Sequence, residues 1–220
     1  HGAGFGQSPR VREDGLGELP PMVSYAQNFE DVVLRRALQE IEAGFYVDIG
    51  AWDPTLDSVT AWFYGNGWSG INVEPNPAYF AALDAARPRD RNLCAVVGAS
   101  GGLRDVEIAE GTGLSSGIPG GIDASGYAGR APRRTVAAPQ IALADVLAAA
   151  GGRTIDFLKI DAKGMEAEIL SGGALGTFRP RVLVVEATAP TTQLPSHAAW
   201  EPGICRQLVA ACEKFKFIKE

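Results

Sequence analysis

The stretch "FYVDIGAWDP", residues 45–54, decides how the rest of the chain is read. Phe45, Val47 and Ile49 favour a strand, and Asp48, Gly50, Asp53 and Pro54 end the run, because these residue types favour turns over continued pairing. In an α/β protein the carboxyl end of such a strand is where ligands sit.

On either side, helical and strand-like segments alternate, the pattern of a parallel sheet with helices on both faces. Leu34, Ala37, Leu38 and Ile41 recur at helical spacing before "FYVDIG". Leu56, Val59, Thr60 and Phe63 predict the next helix, closed by the glycines at 65 and 67, and "GINVEP" predicts the second strand. Pro75 and Pro77 stop that strand and lead into a helix carrying Tyr79, Phe80 and Leu83. "NLCAVV" reads as the third strand, and "LRDVEIAE" alternates like an edge strand. Residues 111–130, rich in Gly and Ser, read as a lid over a site. "RTVAAP" and a short helix on Ile141, Val146 and Leu147 follow. "TIDFLKID" and "RVLVVEAT" are the fourth and fifth strands, joined by a helix over 165–170. A last helix over 197–212 precedes "FKFIKE", read as a sixth strand that leaves an open edge and room for a homodimer. The expected fold is a doubly wound, mostly parallel α/β sheet.

With 220 residues and 46% hydrophobic content, the chain can bury one sizeable core, so residues 22–220 read as a single domain. Residues 1–21, rich in Gly and Pro, read as a flexible arm. The chain starts without a methionine and stops in "FKFIKE" as though within an element, so the expectation is that the native C-terminus lies further on and that part of the last strand pair is missing. A net charge of −6 and no run of Lys and Arg argue against a nucleic-acid partner. No apolar stretch reaches the roughly 20 residues of a membrane helix, and the expected location is cytoplasmic. Cys94, Cys205 and Cys212 form no C-x-x-C pair, so neither a disulfide framework nor a zinc site is expected.

Each of the clearest strands ends on an acid: Asp48, Glu74, Asp161 and Glu186. In a parallel sheet those ends line one edge, although any one acid could equally cap the next helix. An acidic glycine turn followed one strand later by a carboxylate suits a nucleoside, whose ribose hydroxyls the second acid accepts. A dinucleotide needs G-x-G-x-x-G, whereas Gly50 is followed by Ala51, Trp52, Asp53 and Pro54. The acids Asp48, Asp53 and Asp57 would oppose a pyrophosphate and attract a sulfonium, so the sign of charge favours S-adenosylmethionine.

"YAQNFEDVVL", "FYVDIGAWDP", "DSVTAWFYGNGWSGINVEPNP", "IDFLKIDAKGMEAEIL" and "RPRVLVVEATAP" together resemble the FkbM family of S-adenosylmethionine-dependent O-methyltransferases, in the family's order across roughly residues 24–202. The resemblance implies a class I, Rossmann-like methyltransferase fold and a small-molecule hydroxyl acceptor, on a sugar or a polyketide-type natural product. It assigns Asp48, Gly50 and the adjoining Ala51 to the donor's methionine and ribose end, and Glu74, followed by Pro75, to the ribose hydroxyls. Tyr25, Gln27, Asn28 and Glu30 match the block that folds over the methionine portion. Asp57 and Ser58 open the helix after the glycine turn, as cap or ligand contact. Asp161 and Glu166 match the acids of the family's "KIDxEGxE" block. Trp52 stands where Asn is usual, Pro54 replaces a frequent Gly, and Lys163 replaces an acid. That lysine removes one ligand from any carboxylate cluster, and no metal is expected.

For methyl transfer to a hydroxyl, two bases come into question. Asp161 ends a strand beside the expected methyl group, and His197 follows the fifth strand with a pKa suited to proton removal near neutrality. A nicotinamide dehydrogenase, an N-methyltransferase and a non-catalytic adenosyl-binding module stay open on the sequence alone.

Overall fold

Strand-forming residues that are apolar on both faces need cover on both faces, and the structure, a computed structural model describing residues 21–124 and 131–185, supplies it. In chain order the elements are α1 (Glu30–Ala37), β1 (Phe45–Ile49), α2 (Ala61–Gly65), β2 (Ser69–Val73), α3 (Pro77–Ala86), β3 (Arg91–Leu93), β4 (Val96–Gly98), β5 (Gly102–Ala109), β6 (Ser115–Ser116), α4 (Gly121–Ala124), β7 (Arg133–Ala142), α5 (Leu143–Ala148), β8 (Phe157–Ile160), α6 (Glu166–Ser171), a 3-10 turn (Ala174–Gly176) and β9 (Val182–Val185). Five strands form a sheet in the order β3-β2-β1-β8-β9, and every pairing in it is parallel. The arrangement is a Rossmann-like, doubly wound α/β sheet, with β1 at the centre and every residue of it buried.

Side chains alternate along the strands, so the two faces carry different cores. Tyr46 and Phe157 point to one face, where Leu34 and Leu38 of the first helical segment, Val59, Phe63 and Trp68 pack on them. The aromatic rings there lie close, with Phe63 4.8 Å from Trp68 and 4.9 Å from Phe157 between centroids. Val47, Ile49, Leu158 and Ile160 point to the other face, against Leu143, Val146 and Leu147 of α5, Ile169 and Leu170 of α6, and the second sheet. That second sheet has the order β4-β7-β5-β6 and is antiparallel except for the β4–β7 pair.

The structure corrects two readings of the middle of the chain and describes part of a third. "NLCAVV" is two strands in two sheets: β2 ends before Pro75, which has no N–H to donate, so β3 loses its partner after Leu93 and the chain crosses to pair Val96 with Gln140. β5 is an interior strand, although β6 covers its outer side only at Glu107 and Ile108. Within the predicted lid, 111–124 carries β6 and α4, and Leu114 and Ile122 are buried with Ala109; residues 125–130 lie outside the described residues. The helix expected from Leu56 starts only at Ala61, so Asp57 and Ser58 belong to the preceding loop. Asp53 holds that loop by accepting the Thr55 and Leu56 N–H groups, both at 2.8 Å. The expected arm through residue 20, Glu186, His197, the last helix and "FKFIKE" also lie outside the described residues. Among the described residues no helix is long and apolar enough to cross a membrane.

Candidate functional site

The carboxyl ends of β1, β2 and β8 meet at Gly50. The turn needs this glycine twice over: its φ is +78°, and a Cβ would lie 1.9 Å from the Asp161 carbonyl oxygen. The Gly50 and Ala51 N–H groups both donate to the Val73 carbonyl, at 2.9 and 3.2 Å, which folds the turn across the end of β2.

Asp48 lies beneath this turn, 1% exposed. Its Oδ1 is 3.0 Å from Lys159 Nζ and its Oδ2 accepts a 3.2 Å bond from Thr60. Lys159 also donates to the Gly50 carbonyl at 2.9 Å and stands 3.8 Å from Asp161 Oδ2. Burial alone would lower the lysine pKa, but the Asp48 and Asp161 carboxylates outweigh it and hold the ammonium above its usual range. Asp161 has a second ammonium, Lys163 Nζ, 2.6 Å from its Oδ1. Lys163 reaches back from a backbone φ of +47°, and it closes an alternating row of two carboxylates and two ammonium groups.

Glu74 is 4% exposed. Its Oε2 accepts the Trp52 N–H at 2.9 Å and its Oε1 the Asn76 N–H at 2.8 Å, so one carboxylate fastens the loop after β1 to the loop after β2. Burial pushes its pKa up to about 7, against the pull of those two N–H groups and of Lys159. Pro75 follows, half-buried, and fixes the backbone between them. On the β8 side Glu166 does similar work: its oxygens accept the Ala162 N–H at 2.8 Å and the Gly164 N–H at 2.9 Å, and burial raises its pKa too.

Ser58 is fully enclosed, and its hydroxyl accepts from Arg87 at 2.8 Å. Arg87, 2% exposed, also donates to Thr60 Oγ1 at 2.6 Å and to the Pro54 carbonyl. Asp57 is exposed with φ +50°. Tyr25, Gln27 and Asn28 are exposed beside α1. The Tyr25 N–H donates to Asp31 at 2.8 Å, Ser24 donates to the same buried carboxylate at 2.7 Å, and Glu30 accepts the Asn28 N–H at 3.0 Å. The site therefore brings together Asp48, Gly50, Ala51, Glu74 and Asp161, while the block from Tyr25 to Glu30 is organised around Asp31.

Sequence reasoning passed over Lys159, Arg87 and Asp31. A lysine inside the buried run "FLKI" was the one available signal, since a charge in a central strand needs partners. Arg87, in "ARPRD", gives none, because its partners converge from residues 54, 58 and 60 only in three dimensions.

Trp52 completes the rim. Its φ is +53°, its ring meets Tyr79 edge-on at 6.0 Å, and the ring lies so close to Gly113 that a Cβ there would be 2.6 Å from the indole. Its Nε1–H is buried without a hydrogen-bond partner. At the opposite, amino-terminal edge of the sheet a shallow depression of about 360 Å³ lies among Gly44, Arg153, Asp156 and Arg181, remote from the row of acids.

The sequence matches the methyltransferase FkbM domain over residues 48–210, well over half of the chain. No curated protein matches it. The crystal structure of methyltransferase FkbM from Methylobacillus flagellatus KT is similar over 68% of this chain, at 16% identity and a TM-score of 0.43. That similarity covers 34% of the other protein, so the chain spans about a third of its length. The matched domain begins at Asp48, the residue on which the turn at the carboxyl edge is built, and the chain belongs to the FkbM methyltransferase family.

Proposed function

We propose that the protein transfers a methyl group from S-adenosylmethionine to a hydroxyl of a small molecule of the sugar or polyketide type. The observation that carries this reading is Glu74, a buried carboxylate at the end of β2 that also holds the turn after β1. Each of its oxygens keeps a second lone pair after taking one backbone N–H, which suits a pair of ribose hydroxyls. The donor supplies a methyl group already activated on a sulfonium. The chain has then to orient an acceptor oxygen, exclude water and accept a proton late in the reaction.

In this reading Asp48 acts from below, keeping Lys159 under the Gly50 carbonyl so that the turn holds its shape. Gly50 and Ala51 present backbone to the donor, and Asp161 lines the methyl-transfer site between its two ammonium partners. Asp57 and the backbone at Ser58 border the same loop, and Tyr25, Gln27, Asn28 and Glu30 close over the methionine portion. His197 takes the proton from the acceptor.

Calorimetry with S-adenosylmethionine, S-adenosylhomocysteine and NAD, each alone, tests the reading. The two adenosyl sulfur compounds should bind and NAD should not. Glu74→Ala should weaken S-adenosylhomocysteine about ten- to a hundredfold, the loss of a pair of buried hydrogen bonds. Because Glu74 also fastens two loops, Glu74→Gln, which keeps one acceptor, is compared after its unfolding curve shows a folded protein. Binding of NAD in place of the methyl donor, or parental affinity in the folded Glu74→Gln protein, overturns the proposal.

A further inference from the structure

Trp52 is held in an unfavourable state in two respects. A tryptophan in the left-handed region of φ is strained, and a buried N–H without an acceptor loses its water for nothing in return. Both persist because the surroundings fix the residue: Glu74 accepts its backbone N–H, Tyr79 meets its ring, and Gly113 lies flat against the indole. Strain and orphaned donors of this kind concentrate where a ligand completes the environment.

Resting on the reading of Glu74 as the ribose-binding acid, we infer that Trp52 is a specificity-determining residue of this chain: its indole N–H donates a hydrogen bond to the nucleobase of the adenosyl group. The direction of the ring selects the nucleobase over the donor's other parts. The indole leans toward Tyr79 on α3, whereas the acids and ammonium groups beside Gly50 lie on the β8 side, where charge is handled. A nucleobase presents ring nitrogens that accept hydrogen bonds and a flat apolar surface that suits an indole and a phenol.

The chain has four tryptophans, so ¹⁵N-tryptophan labelling gives a short indole spectrum, in which Trp52→Phe identifies the Trp52 signal by its loss. On addition of S-adenosylhomocysteine that indole proton should move downfield and exchange more slowly with solvent, while those of the partly buried Trp62 and the core residue Trp68 stay in place. Trp52→Phe keeps an aromatic ring, smaller than the indole, and removes the donor, so it should bind S-adenosylhomocysteine roughly three- to tenfold more weakly, the range of one hydrogen bond. Its ligand-free melting temperature should stay level or rise, because the orphaned donor is gone. Among the 1-, 3- and 7-deaza analogues, the one lacking the accepting nitrogen should lose affinity for the parent protein and not for Trp52→Phe. If the parent binds S-adenosylhomocysteine with the Trp52 signal unmoved and Trp52→Phe binds equally well, the inference fails and the proposed function stands. A Trp52→Phe protein that loses ligand-free stability together with affinity assigns the residue a packing role and also overturns the inference. No binding by the parent removes the donor reading itself.

Discussion

Two loops leave the same edge of the parallel sheet, and they are fastened differently. The loop after β1 is held from outside: Glu74 of the neighbouring strand takes its Trp52 N–H, and Arg87, at the end of α3, takes Pro54, Ser58 and Thr60. The loop after β8 is held mostly from within, since Glu166 takes the N–H groups of Ala162 and Gly164 and Lys163 turns back onto Asp161, with an outside bond from the Ser116 hydroxyl of β6 to the Lys163 carbonyl at 3.3 Å. Each uses a buried glutamate, and each glutamate has its pKa raised by burial. The first loop is tied chiefly to β2 and α3, whereas the second rests mainly on its own bonds and leans on β6 through Ser116.

The largest expected effect comes from removing the point at which the two loops touch. Gly50→Ala places a Cβ against the Asp161 carbonyl and a side chain at positive φ, and should destabilise the fold by about 3 to 5 kcal/mol in urea unfolding. Parental stability would mean that the loops do not depend on this contact.

Arg87→Met comes next. It leaves the Pro54 carbonyl and the Ser58 hydroxyl without their guanidinium donor, while Thr60 keeps its bond to Asp48, and should cost about 2 to 4 kcal/mol. Its sharper readout is local: hydrogen exchange should quicken over 54–60 and stay unchanged over 162–164. Equal quickening in both loops would erase the distinction drawn between them.

A smaller effect, common to the two glutamates, is read by pH. The Glu74 carboxyl holds its proton to about pH 7 in the folded protein, against 4.5 for an ordinary glutamate. A raised folded value means that this contribution is fully present below about pH 4.5 and is lost as pH rises through about 7, by up to about 3 kcal/mol. The unfolding free energy of Glu74→Gln should therefore change less between pH 5 and 8 than that of the parent. Glu166→Gln should flatten the same curve in the same direction. If neither substitution alters the slope, burial does not govern their titration.

The sequence made four strands of the five-stranded sheet, β1, β2, β8 and β9, legible because each is a short, mostly apolar run ended by turn residues, whereas β3, "RNL", is polar and reads as one run with β4. It named the acids at the strand ends, and the structure gathers Asp48, Glu74 and Asp161 at one edge. What it could not convey is how those acids are occupied. Nothing along the chain says that Asp48 faces Lys159 from 111 positions away, or that Ser58 serves Arg87. The second sheet was obscure for a related reason. "NLCAVV" is uniformly strand-like, and the change of sheet within it follows from Pro75 ending its neighbour, which is a property of a different segment. Local preference predicts elements, and partners must be found in space.

Phe45 bonds Asp156, and Asp48 pairs with Lys159, both across 111 positions, the constant offset of two parallel strands in fixed register. The offset acts as a ruler with an elastic middle. Residues added or lost in the hairpins between the two strands change the count and leave every rung opposite its partner. A single residue lost within β8 would turn Lys159 to the other face of the sheet, away from Asp48, and draw the Asp161 carbonyl out from beneath Gly50. Length variation is thus admitted across the second sheet and forbidden in two strands of five and four residues, on which the whole edge is measured out.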